Sequence, residues 1–274
     1  MTKLEKQWVL YDVGNSAFVM LVSTIIPIYF KNMATASGIS AANSTAYLSY
    51  AISISTILVA LLGPVCGAAA DNKGFKKPLF TAFMMIGVIA CAAMGIPKTW
   101  LAFLVVFVIA KVGFSGSLIF YDSMLVDVTT DERMDEVSSH GYAWGYIGSC
   151  IPFIAGIILI LAKPFGLTTL LATQISFVIT IVWWFLLAIP LLKNVKQTHY
   201  LRPKKNIVKH SFRRLYVTFM KLKKNKRLLY YILGYFFYID GVYTIISMAT
   251  SYGGEVGIDS TQMILALLLT QIVA

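Results

Sequence analysis

Seven stretches of this chain hold apolar residues almost without interruption, at about 9–30, 44–70, 79–96, 100–126, 142–162, 168–192 and 228–250. Each is close to or above the roughly 20 helical residues that cross a hydrocarbon core about 30 Å thick. None alternates apolar with polar positions, and all are about two to three times longer than a barrel strand requires. The pattern predicts seven membrane-spanning helices in an all-α polytopic bundle. An eighth run opens near Thr261 and continues for only 14 residues to Ala274, so the sequence reads as a truncated piece of a longer protein. The "ATAS" at 34–37 mimics a leader cleavage site. The apolar region before it is too long for a leader and opens on Asp12, which argues against a removable signal.

Composition agrees with the pattern. Of 274 residues 58% are hydrophobic and 13% charged, with a mean hydropathy of +0.76, outside the range of soluble domains. The basic residues set an expected orientation. With the N-terminus inside, the inner loops hold nineteen Lys and Arg and the outer loops only Lys31, Lys98 and Lys163. That asymmetry predicts a multi-pass cell-membrane protein with a cytoplasmic N-terminus. Thirteen of the inner nineteen fall in the 35 residues 193–227. In isolation that stretch reads as a nucleic-acid patch. Between membrane spans it is instead a cytoplasmic connector, partly helical over Ile207–Leu222, that rests on anionic lipid headgroups, with no nucleic-acid partner expected. It divides the chain into a six-helix bundle at 1–192, the connector at 193–227 and the start of a second bundle at 228–274.

Ionisable residues interrupt three of the seven spans: Asp12 in the first, Lys111 and Asp122 in the fourth, Asp240 in the seventh. At about 2.5–3.5 kcal/mol for a charge at mid-membrane on insertion scales, such groups require water, a ligand or one another. At 1.5 Å per residue, Lys111 and Asp240 lie near the midplane, while Asp12 and Asp122 lie closer to the inner side. At 100° per residue each charge shares a narrow strip with other polar groups. Asp12 aligns with Ser16 and Ser23, with Asn15 at the edge; Lys111 with Ser115 and Asp122; Asp240 with Thr244, Ser247 and Ser251, flanked by Phe236 and Tyr243. Spans one, four and seven are the first members of successive three-helix units, the arrangement in which each unit lends one helix to a shared cavity. For Asp12 alone, a helix-dipole role near an N-terminus is an equally good reading.

"GAAADNKGFKKP" at 67–78 resembles the signature loop of the major facilitator superfamily, carried by Gly67, Asp71, Gly74, Lys76 and Lys77, with Asn72 where a basic residue is usual. The resemblance implies a conformational latch that does not touch solute, with its lysines on the headgroup side. "WVLYDVGNSAF", "FYDSMLVDV", "VSSHGYAWGYIGS" and "YFFYIDGVYTIISMA" together resemble the autophagy-related vacuolar amino-acid effluxers and their bacterial relatives within that superfamily. Val13 and Gly14 depart from the pattern. The resemblance implies a secondary transporter of small polar solutes working by alternating access, with the absent C-terminal half required for activity. The polar strips make Asp12, Asn15, Ser16, Lys111, Asp122, Asp240, Tyr243 and Thr244 the candidate solute or ion contacts. Lys111 can meet a carboxylate, and Asp240 either an ammonium or a coupling proton.

Other features are structural. Gly141, Gly145 and Gly148 give the fifth span a smooth face for close packing, and Ser138 or Ser139 is expected to cap its start. Cys66, Cys91 and Cys150 lie singly in three apolar runs, without metal or disulfide spacing. With no nucleophile triad, metal-ligand set or phosphate loop, neither an enzyme nor a cofactor is expected. The rival from another class is a non-transporting membrane scaffold or sensor.

Overall fold

The computed structural model describes residues 1–201 and 207–273; residues 202–206 of the expected connector lie outside them. The described residues form seven helices long and apolar enough to cross a membrane. They are α1 (Lys3–Ala36), α2 (Ala41–Ala70), α3 (Lys76–Ala93), α4 (Trp100–Ser123), α5 (Met134–Ala162), α6 (Thr169–Asn194) and, after the connector, α8 (Lys226–Glu255). Between α6 and α8 lies α7 (Ile207–Lys224), the amphipathic helix expected of the connector, and α9 (Ser260–Val273) closes the described chain. Successive spans run in opposite directions. The turns at 71–75 and 124–133, with 195–201, gather at one end, here the basic end. Those at 37–40, 94–99, 163–168 and 256–259 gather at the other, here the distal end.

The apolar runs place the spans, and short polar signals set their ends. Thr2 and Glu5 cap α1 reciprocally; Ser40, Thr99 and Thr168 accept from the first turns of α2, α4 and α6. The start of α5 differs from expectation. It begins at Met134, after a short 3₁₀ turn over Asp131–Arg133, so Ser138 and Ser139 lie inside the helix and cap nothing. The first two turns of α5 are polar and stand outside the apolar run, which hid them from a hydropathy reading.

α1 is the most enclosed span, packed against α5 and α6, with its buried Tyr11, Phe18, Ile26 and Phe30 forming the centre of the core. Lipid tails are as apolar as these side chains, so helix association here depends on close fit and internal hydrogen bonds. Both are present. α3 and α4 touch backbone to backbone at Gly87 and Gly113, where a Cβ on either would overlap the other helix. α1 and α4 are pinned reciprocally at their basic ends. Trp8 stacks on Tyr121 at 4.3 Å and donates from Nε1 to its carbonyl at 3.1 Å, while the Tyr121 hydroxyl donates to the Trp8 carbonyl at 3.2 Å. Tyr11 and Ser117 share a further hydrogen bond of 2.8 Å one turn deeper.

α1 is not a regular helix throughout. Leu21–Ile25 winds as a π-helix directly before Pro27. The hydroxyls of Ser23 and Thr24 turn back onto the Met20 carbonyl, and that of Ser23 also onto the Val19 carbonyl. α8 meets the bundle at this height, touching the π segment, the end of α1 and α2.

Candidate functional site

The glycines of α5 pack against the polar strip of α1. Asp12 and Ser16 face Gly141 and Gly145: a Cβ on Gly141 would stand 3.1 Å from a carboxylate oxygen of Asp12, and one on Gly145 2.8 Å from the Ser16 hydroxyl. A Cβ on Gly148 would collide with Val13. The smooth face therefore leaves a carboxylate room between two helices in addition to letting them approach, a use that spacing alone did not reveal. Asp12 is half-buried and accepts from the buried Asn15 amide at 3.2 Å. Asp122, exposed near the end of α4, interacts electrostatically with Asp12, and Tyr142 of α5 with both. Tyr243 of α8 is within electrostatic reach of Asp122. Asp12, Asn15, Ser16, Asp122 and Tyr243 thus form one neighbourhood toward the basic end.

Lys111 lies about 16 Å away along α4, eleven residues from Asp122. It is half-buried, with its ammonium 6.0 Å from the centre of the Phe114 ring. Among the described residues neither Lys111 nor Asp240 takes part in an ion pair, so the structure does not join the two as a salt bridge. Asp240 and Thr244 are exposed on α8. Their strip changes character along the helix: Ser247 is half-buried, while Ser251 is buried against the bundle along with its neighbours Thr250 and Gly253. The polar strip of α8 therefore faces the bundle where it touches and stands clear of it toward the basic end.

The latch makes the tight turn expected of it, but its lysines do not sit on the headgroup side. Gly74 has a φ of +82° and makes the turn, and Asp71 ends α2. Gly67 faces Ile119 of α4. Lys76 is not on a headgroup surface: it is 4% exposed and pairs with Asp127 at 2.7 Å while donating to the Ser123 carbonyl at 2.8 Å. α4 ends at Ser123, and the open carbonyls of its last turn draw the ammonium inward. Lys77 donates to the Val195 carbonyl at 3.0 Å. The strand-like segment 195–201 is strapped across this corner. Gln197 accepts from the Gly74 amide and donates to the Ala70 carbonyl, and Leu201 donates to the Asp71 carbonyl. Asp127 also accepts from the amides of Thr198 and His199 and from the Thr198 hydroxyl, each at 2.9 Å. Burial alone raises a carboxyl pKa; here Lys76 and the amide donors outweigh it and hold Asp127 below the usual carboxylate range. Asp127, which gathers this corner, is the residue that the sequence reading passed over, although "FYDSMLVDV" contains it.

Seven apolar antiparallel helices, an acid-bearing strip on a central α1 and a signature turn locked at the basic end define a polytopic membrane protein of the major facilitator type. The chain belongs to the Atg22-like effluxer family, whose model, described as "Vacuole effluxer Atg22 like", matches residues 2–132 and 126–274. It is 46% identical over 279 residues to an uncharacterized MFS-type transporter, YxiO, of Bacillus subtilis (strain 168). That match covers all of this chain and 65% of the relative's length.

Proposed function

We propose that the chain serves as a secondary transporter of small polar solutes, working by alternating access with the basic end in the cytoplasm of a cell-membrane protein. The family resemblance points to amino acids as solutes, and the Asp240 carboxylate offers a carrier for a coupling proton. The observation that carries this reading is the split character of α8. Its distal third packs against α1 and α2, while Asp240, Tyr243 and Thr244 are exposed, with Tyr243 within electrostatic reach of Asp122. The reading this supports is a passage closed at the distal end and open toward the basic end. Charges without ion-pair partners at membrane depth are retained at a cost, and a wet, solute-binding wall gives that cost a purpose.

Counterflow in liposomes containing the purified full-length protein, C-terminal half included, tests the proposal directly. Vesicles preloaded with unlabelled amino acids are expected to accumulate at least one labelled counterpart. The Asp240→Asn variant is expected to lose the pH-driven part of uptake while keeping exchange. Absence of counterflow for every amino acid, hydroxy acid and small amine in the panel would refute the transport reading. Unchanged pH-driven uptake in Asp240→Asn would refute the coupling role alone.

A further inference from the structure

At the distal end a cavity of about 390 Å³ lies between α1, α2, α8 and α9, within the size range of small-molecule sites. Its apolar wall includes Leu48, Ile258 and Met263, and its charged groups are Lys31 and Asp259. Two of its three buried hydroxyls are spent within the bundle: Ser44 donates to the Ala41 carbonyl at 2.6 Å and Thr250 to the Ser23 carbonyl. The third, Ser251, is 8% exposed, lines the cavity and has no hydrogen-bond partner among the described residues. A buried hydroxyl left unpaired costs free energy, so this one points to a partner that the chain itself does not supply.

The Lys31 ammonium reaches the same wall. It belongs to a half-buried side chain, takes part in no ion pair among the described residues, and lies 3.4 Å from where a Cβ on Gly254 would stand. Gly254 follows Ser251 by three residues, so the two are neighbours on one face of α8, about 5–6 Å apart. The last carbonyls of α8 favour a cation here, which accounts for the place of the ammonium but not for the open hydroxyl beside it. A cation and a hydroxyl donor one helical turn apart, with an apolar wall behind them, match the two oxygens and the hydrocarbon part of a small aliphatic carboxylate. Asp259 limits the charge. Exposed at the edge of the cavity, it accepts from the Thr261 amide in the first turn of α9 at 2.8 Å, and its own negative charge opposes a second one on the ligand.

We infer that this cavity is a binding site for a small aliphatic monocarboxylate, whose two oxygens are held by the Lys31 ammonium and the Ser251 hydroxyl. Lys31 supplies the charge that attracts the ligand, Ser251 orients it, and the apolar wall favours a short hydrocarbon chain over an inorganic anion. The site is separate from the polar strips of the proposed passage, since Ser251 lies eleven residues from Asp240, about 16 Å along α8. Occupancy requires only that the ligand reach the distal face, so the inference goes beyond the transport reading and does not depend on it.

The test is protection of a cysteine at the edge of the cavity. Asn32 is exposed and lines it, so Asn32→Cys is introduced into the purified full-length protein, freed of its other cysteines, and reacted with a maleimide in detergent. The readout is the ratio of reaction rates with and without ligand in each variant. Isocaproate near saturation is expected to slow the reaction at least about threefold, while the uncharged isocaproamide and the dianion sulfate leave it unchanged. Lys31→Gln is expected to abolish the protection, and Lys31→Arg, which keeps the cation, to retain it. Ser251→Ala is expected to raise the half-protecting concentration of isocaproate roughly fivefold, the scale of one lost hydrogen bond. No protection by isocaproate, equal protection by its amide or by sulfate, or protection that survives Lys31→Gln would overturn the site. Counterflow on the same protein reads the transport proposal separately: exchange without protection overturns the site alone, and protection without exchange overturns transport alone.

Discussion

Replacing Asp127 with alanine is expected to lower the unfolding free energy of the chain by about 3–5 kcal/mol, the cost of leaving a buried charge without its partner. The Lys76 ammonium is 4% exposed and cannot reach solvent, and the amides of Thr198 and His199 lose their acceptor at the same time. Unfolding in detergent micelles, followed by tryptophan fluorescence, measures the loss. The double variant Lys76→Met/Asp127→Asn is expected to recover most of it, because it removes the stranded charge and keeps a carbonyl oxygen for the strap. The pair also sets a pH dependence. Asp127 has a folded pKa below its unfolded value, about 3.9 for a free side chain, so its stabilisation is present in full above that value and declines as pH falls toward the folded one. Wild type is therefore expected to lose stability below about pH 4 in a step that Asp127→Asn lacks.

Lys111→Met is expected to do the reverse. This ammonium has no ion-pair partner among the described residues and lies half-buried at mid-depth, so removing it is expected to raise stability by up to about 3 kcal/mol, the scale of the insertion penalty it relieves. In the full-length protein, counterflow is expected to fall at least tenfold in the same variant. A lysine kept only to hold helices together would behave otherwise, since its loss would lower stability and leave transport in proportion to the folded protein. The same unfolding assay, run beside liposome counterflow, separates the two roles.

The helices and their polar strips were legible in the sequence because both are local: hydropathy fixes a span, and a 100° step fixes which residues share a face. The smooth face of Gly141, Gly145 and Gly148 was legible for the same reason. Its partner was not, since nothing in the spacing of α5 says that Asp12 and Ser16 of α1 fill the space it leaves. Lys76 was read as a headgroup lysine because its sequence neighbours are a turn and a second lysine; its true partner is 51 positions away. Pairings between helices depend on crossing geometry, which a single chain's periodicity does not encode. The early start of α5 was missed because its first turns lie outside the apolar run.

The central claim is that a wet passage runs along the charged strips, and thiol reactivity along α4 measures it most directly. Single cysteines at Lys111, Ser115 and Asp122, and at the exposed apolar positions Val105 and Ile109, are reacted in reconstituted membranes with a membrane-impermeant charged maleimide. Reaction at 111, 115 and 122 at rates at least tenfold above those at 105 and 109 is the predicted result. Equal reactivity at all five positions, or silence at 111 and 115 while 122 reacts from the surface, would contradict the passage.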